Sequence, residues 1–260
     1  MGRHSRLIAL FTVLLLASAL RARAWTNPDP PLEEHLRIGL RFRQSYLHDH
    51  SRSIDNAYRG SITELNSQED ESPLTPLTIE WLFNPYLGVQ LTWEQVRAET
   101  GTSQETEALN HSDGTISLFG PALTLKLRCP NRSRLTPYIG LGYTQMAANF
   151  EHNPIWHNGF GGATREADYD AWIAAGSPPW PNDGYRRTIT LEDASAWLLA
   201  CGLEFQITDQ LDISLFAQVM DVDGTDLTQR LTRYQTVTET RRGTFPMSNT
   251  SYGLGVRWTF

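Results

Sequence analysis

Two kinds of residue in this chain could do chemistry: histidines set beside serine or aspartate, and charged residues recurring at alternate positions. His48-Asp49-His50 lines up metal-ligand types, and His50-Ser51 and His111-Ser112 put an imidazole beside a hydroxyl. A metal site needs three or four donors on a fixed scaffold. An acyl-chain hydrolase needs a serine, a histidine in reach and a third group to orient it. His48, His50, His111, His152 and His157 all fall in polar stretches between the patterned segments. Solvated histidines are the ordinary case there. No catalytic, metal or cofactor-binding residue is assigned, no cofactor is expected, and the chain is not read as an enzyme.

The second set is Arg37, Arg41, Glu80, Glu94, Lys126, Arg128, Glu204, Asp212 and Arg257. Each occupies the polar phase of a stretch whose other phase is apolar. If that phase turns inward, these charges share a narrow interior, where an unpaired charge is costly and pairing is required. The expectation is a salt-bridged, largely closed lumen, with Arg37 and Arg257 close together and Glu80 and Glu204 reaching the same layer.

The elements that must position them are strands. The last ten residues alternate strictly: Tyr252, Leu254, Val256, Trp258 and Phe260 are apolar, and Ser251, Gly253, Gly255, Arg257 and Thr259 are small or polar. That is the pattern of a strand with one face in lipid and one in a polar lumen, and it reads as the closing assembly strand of a bacterial outer-membrane barrel. Seven earlier segments alternate likewise, at 35–45, 74–83, 86–97, 115–128, 135–147, 194–207 and 211–221. Each is about the length that a tilted strand needs to cross a bilayer. The fold class predicted is all-β: an eight-stranded antiparallel up-and-down transmembrane barrel.

Connection lengths alternate too. Tight turns fall near 84–86, 129–134 and 208–210, and long links at 46–73, 98–114, 148–193 and 222–249. Short periplasmic turns and long extracellular loops are usual in such barrels. Pro121 lies deep in the fourth segment, where a missing donor predicts a bulge. Residues 186–192 and 231–240 alternate enough to prolong strands above the membrane, and a ten-strand barrel is the alternative. Aromatics gather toward strand ends: Phe83, Tyr86, Phe205, Trp258 and Phe260 at one level, Trp93 and Trp197 at the other, as in interfacial girdles. The third long link, 148–193, is rich in aromatics and suits a binding surface or a self-packed cover.

Residues 1–24 read as a secretory signal peptide. Arg3 and Arg6 precede an apolar run over 7–20, and Ala22-Arg23-Ala24 is a small-x-small cleavage site. Residues 25–260 are then the barrel domain. Removing the leader takes away four arginines and no acid, so the formal charge goes from −7 to −11. An acidic chain argues against nucleic acid as a partner. Cys129 and Cys201 fall on non-adjacent strands, so no disulfide is expected. No periplasmic peptidoglycan-binding domain is expected after Phe260.

Gly120-Pro-Ala-Leu-Thr-Leu-Lys-Leu-Arg128 and Arg134-Leu-Thr-Pro-Tyr-Ile-Gly-Leu-Gly-Tyr-Thr144 resemble the OmpW family of small outer-membrane barrels. In that family a Pro-x-Leu-Thr-Leu strand precedes a Pro-Tyr-x-Gly-x-Gly-x-x-Tyr strand. Residues 196–218 and the terminal Gly-x-Gly-x-x-x-Phe are similar to that family and to the wider OmpA-like group. The resemblance covers most strands and none of the loops. It implies an eight-stranded porin-like barrel in the Gram-negative outer membrane and, in OmpW members, a conduit for small hydrophobic compounds. The charged interior departs from that conduit. The expected partners are outer-membrane lipids, lipopolysaccharide and the barrel-assembly machinery, with the protein a monomer. The expected role is structural or surface interaction, or limited small-molecule passage. Alternatives are an OmpW-like channel and a lipid-modifying enzyme.

Overall fold

The computed structural model describes residues 35–48, 51–54, 58–62, 74–102, 112–131, 133–160, 165–178, 186–223, 225–233, 236–245 and 247–260. The leader, His50 and His111 lie outside them. In chain order the elements are β1 (His35–Leu47), β2 (Ser51–Ile54), β3 (Tyr58–Ile62), β4 (Leu74–Asn84), β5 (Leu87–Thr102), β6 (Ser112–Arg128), β7 (Leu135–His152), α1 (Pro154–His157), α2 (Arg165–Ala174), β8 (Arg186–Leu191), β9 (Ala194–Gln206), β10 (Leu211–Val222), β11 (Thr225–Arg233), β12 (Thr236–Phe245) and β13 (Asn249–Thr259).

Eight of these close into an antiparallel barrel. The order is β4-β1-β13-β10-β9-β7-β6-β5, and β5 pairs back onto β4. The seam between the first and last strands runs from Arg37↔Thr259 to Leu47↔Asn249 without a break. All eight follow the segments read from the alternation. β5, β6 and β7 run further than expected at their loop ends.

At the other end the chain turns tightly. The Asn84 side chain accepts from the amides of Tyr86 and Leu87 at 2.8 and 2.9 Å, which folds Asn84-Pro85 into a turn. Thr208 Oγ1 does the same for Leu211 at 3.0 Å. Asn131 Oδ1 holds the Ser133 amide at 2.7 Å.

Two sequence expectations are corrected. β8, β11 and β12 do not prolong barrel strands. They form a separate three-stranded sheet, ordered β12-β11-β8, so the barrel has eight strands and not ten. Pro121 makes no bulge. It stays opposite Trp93, and the register with β7 is the same before it (Phe119↔Ala147) and after it (Ala122↔Thr144). The chain tolerates the missing donor because Thr144 Oγ1 donates to the Pro121 carbonyl at 2.9 Å, tying the strands across the gap.

Outward side chains over the middle of the barrel are apolar and open: Leu123 57%, Leu141 56% and Leu215 56% exposed. The terminal strand presents Tyr252, Leu254, Val256, Trp258 and Phe260 the same way. A belt of this kind on every strand is far beyond the apolar patch that a water-soluble monomer carries.

Further up, polarity inverts. Outward positions become Arg97 on β5, Ser117 on β6, and Asn149 and Glu151 on β7, with Arg97 and Glu151 paired at 3.7 Å. Inward positions become Val96, Ala98, Ile116, Leu118, Met146 and Phe150, all buried. That is the pattern of an ordinary sheet in water, apolar in and polar out. The barrel wall therefore continues beyond the belt as a water-facing head. Trp156 of α1, Ile189 of β8, Leu227 of β11, Phe245 of β12 and Met247 join the same core.

Candidate functional site

The candidate site is the barrel interior. All nine expected charges are buried. They form two groups, not one layer.

The lower group centres on Glu204. Its Oε1 accepts from Lys126 Nζ and Arg257 Nη1, both at 2.7 Å. Its Oε2 accepts from Arg128 Nε at 2.9 Å and Arg37 Nη1 at 3.2 Å. Glu80 pairs with Lys126 at 2.6 Å and Arg257 at 2.9 Å, and Asp212 with Arg37 at 3.4 Å. Arg128 also donates to the Pro85 carbonyl at 3.1 Å, which fixes this group to the tight-turn end. Arg37 and Arg257, expected to lie close together, both reach the Glu204 carboxylate, and Gly39 is the direct partner of Arg257 across the seam. A Cβ there would stand 2.5 Å from Arg257 Cγ, so only glycine lets the arginine stem pass. Gly202 likewise leaves room for the Tyr138 ring, which lies 4.1 Å from Lys126 Nζ. Lys126 and Glu80 have no accessible surface.

The upper group gathers on Glu94. It accepts from Arg43, from Arg41 at 3.4 Å, from Thr92 at 3.0 Å and from Gln218 at 3.3 Å. Arg41 bridges back to Gln218 Oε1 at 3.0 Å and lies 3.9 Å over the Phe216 ring. Arg43, Gln218 and Tyr138 were not singled out as site residues. The alternation that placed Arg41 inward places them inward too.

Above this group the inward side chains are Leu118, Ala122, Met146, Leu198 and Met220, each 1% exposed or less. Carrying the inward phase of β6 upward from Thr124 reaches Ala122, Leu118 and Ile116, so the same signal could have found them.

The described loop histidines, His48, His152 and His157, make structural contacts. His48 Nε2 sits 2.7 Å from Thr250 Oγ1. His157 Nδ1 donates to the Arg187 carbonyl at 2.7 Å, and His152 Nε2 accepts from the Ile189 amide at 2.7 Å. A lone pair used that way is not free for a metal. Among the described residues no group of ligand side chains could hold one. Burial, then the adjacent His157 ring, pushes the His152 imidazole below the ordinary histidine value. The histidines of the pairs His50-Ser51 and His111-Ser112, to which no catalytic role is assigned, lie outside the described residues.

No family model and no curated protein matches the chain. Solved structures do. OprG from Pseudomonas aeruginosa is 14% identical, with 87% of this chain and 95% of that chain covered and a TM-score of 0.57. AlkL, solved in lipid bilayers, is 14% identical, with 90% and 97% covered and a TM-score of 0.51. Escherichia coli outer membrane protein W matches at 14% identity over 88% and 97%, with a TM-score of 0.39. The chain has the fold of the small eight-stranded outer-membrane barrels.

Proposed function

We propose that the protein is a closed barrel of the bacterial outer membrane, exported by its leader, which holds a folded head outside the bilayer for structural or surface-interaction work. The observation that supports this is the filled interior. Ion pairs occupy its lower part, and tightly packed apolar side chains occupy the part that continues into the head. A water-filled channel needs a polar lumen left open. The polarity inversion on β5, β6 and β7 gives the head an apolar core and a wettable outside, as a binding platform requires. The test is purified protein in planar bilayers. No steady single-channel current is expected; large, steady openings would overturn the closed-barrel reading.

A second reading is passage of small apolar compounds. It is favoured by Met146, Met220 and Met247 in one buried cluster, since thioether side chains adapt to varied shapes. It predicts faster uptake of a hydrophobic dye by cells making the protein. Uptake unchanged by Leu118→Asp would exclude a path through the interior.

A further inference from the structure

The β8–β11–β12 sheet has two faces. One packs Ile189, Leu227 and Phe245 into the apolar core. The other carries two rows across the three strands. Thr190, Thr228 and Arg242 form the first, and Thr188, Arg230 and Thr240 the second. Cross-strand neighbours lie about 4.8 Å apart and the rows about 7 Å apart. Arg230, Arg242, Thr190 and Thr240 are exposed. Arg186 continues the face at one end, and two acids, Asp226 and Glu192, lie together at the other. Arg230 and Arg242 make no ion pair with a described residue. The chain as a whole carries a formal charge of −7, so two neighbouring rows that hold arginines and no acid run against its composition.

We propose that this face binds a polyanionic polysaccharide, with sulfate or carboxylate groups on the arginines and sugar hydroxyls on the threonines. Guanidinium forks match both anions in geometry. Threonine hydroxyls both donate and accept, as sugar hydroxyls do. The rows hold no aromatic side chain on which a nucleic-acid base could stack. They hold none of the tryptophan or tyrosine anchors that, with arginine, dominate protein interfaces. The face lies opposite the one packed on the apolar core. This assignment rests on the surface-interaction reading and names its partner.

The experiment measures retention of the full chain, in detergent micelles, on immobilised heparin, with neutral dextran as the control. Wild type is expected to bind heparin alone and to elute with salt. Arg230→Gln combined with Arg242→Gln should weaken binding by about tenfold or more, as expected for losing contacts to charged groups. Unchanged heat-modifiable gel mobility would show that the variant barrel is folded. Thr190→Ala with Thr228→Ala keeps the charge and should weaken binding less. Equal retention of wild type and the arginine variant would overturn the proposal, as would wild-type retention on anionic vesicles but not on heparin. Adhesion to host cells by the arginine variant, with heparin binding lost, would leave the surface-interaction reading standing and remove only the polysaccharide from it.

Discussion

Glu204 carries the largest share of the interior electrostatics, because four cations converge on its two oxygens. Removing one partner of a buried ion group leaves the others uncompensated, at about 3–5 kcal/mol. Glu204→Ala should therefore lower unfolding stability by about that much, read as the urea midpoint of the folded gel band. Glu94→Ala should also destabilise, though Gln218 can still accept from Arg41. A Glu204→Ala barrel as stable as wild type would show that water, not the carboxylate, satisfies these cations. The inward charges were legible in the sequence because period-two alternation fixes the face of each residue. Who meets whom was not. Glu204 takes Arg37 from 167 positions away and Lys126 from 78, and only closure and strand stagger decide such pairs.

At the scale of elements, strand existence and the tight turns were readable, since lipid on one face and a narrow lumen on the other enforce alternation. Two things escaped. The inversion of polarity along β5, β6 and β7 escaped because alternation persists while its meaning reverses. The separate sheet escaped because short alternating runs at 186–192 and 231–240 do not say which neighbours they pair with. How that sheet is fastened gives a pH prediction. The inward edge of β8 is capped by two imidazoles, His157 on the Arg187 carbonyl and His152 on the Ile189 amide, with ring centroids 5.2 Å apart. The other charged groups around them are few. Arg187 lies 5.7 Å over Trp156, Glu151 turns outward to Arg97, and β6 and β11 offer Gly114 and Gln229. His152 must be neutral to accept, and its folded pKa lies below the ordinary 6.5. The fastened state thus holds fewer protons than the released one. Its stabilisation is complete above about pH 6.5 and is lost as pH falls through the depressed value. Hydrogen exchange at residues 187–191, corrected for intrinsic rate, should speed up between pH 7.5 and 5. The change is at most about tenfold per pH unit for one proton. His152→Gln, whose amide oxygen accepts at any pH, should abolish the dependence; the same dependence in that variant would rule the imidazole out.

For the molecule as a whole, three zones stack along one axis: a charged floor, a narrow polar band and an apolar core shared with the head. The belt outside them spans the floor and band, and the inversion marks where lipid gives way to water. The barrel seam has a consequence for biosynthesis. The Phe260 amide bonds the Leu36 carbonyl at 2.9 Å, so the opposite extremities of the folded strand ring are stitched directly together. The ring cannot shut until β13 is in place, and until then the waiting edge of β1 invites wrong partners. Glu80, Lys126, Glu204 and Arg257 come from four different strands. A ring shut in a slipped alignment would strand one of them without its counter-ion. The floor thus doubles as a proofreading lock, penalising every misregistered closure during insertion.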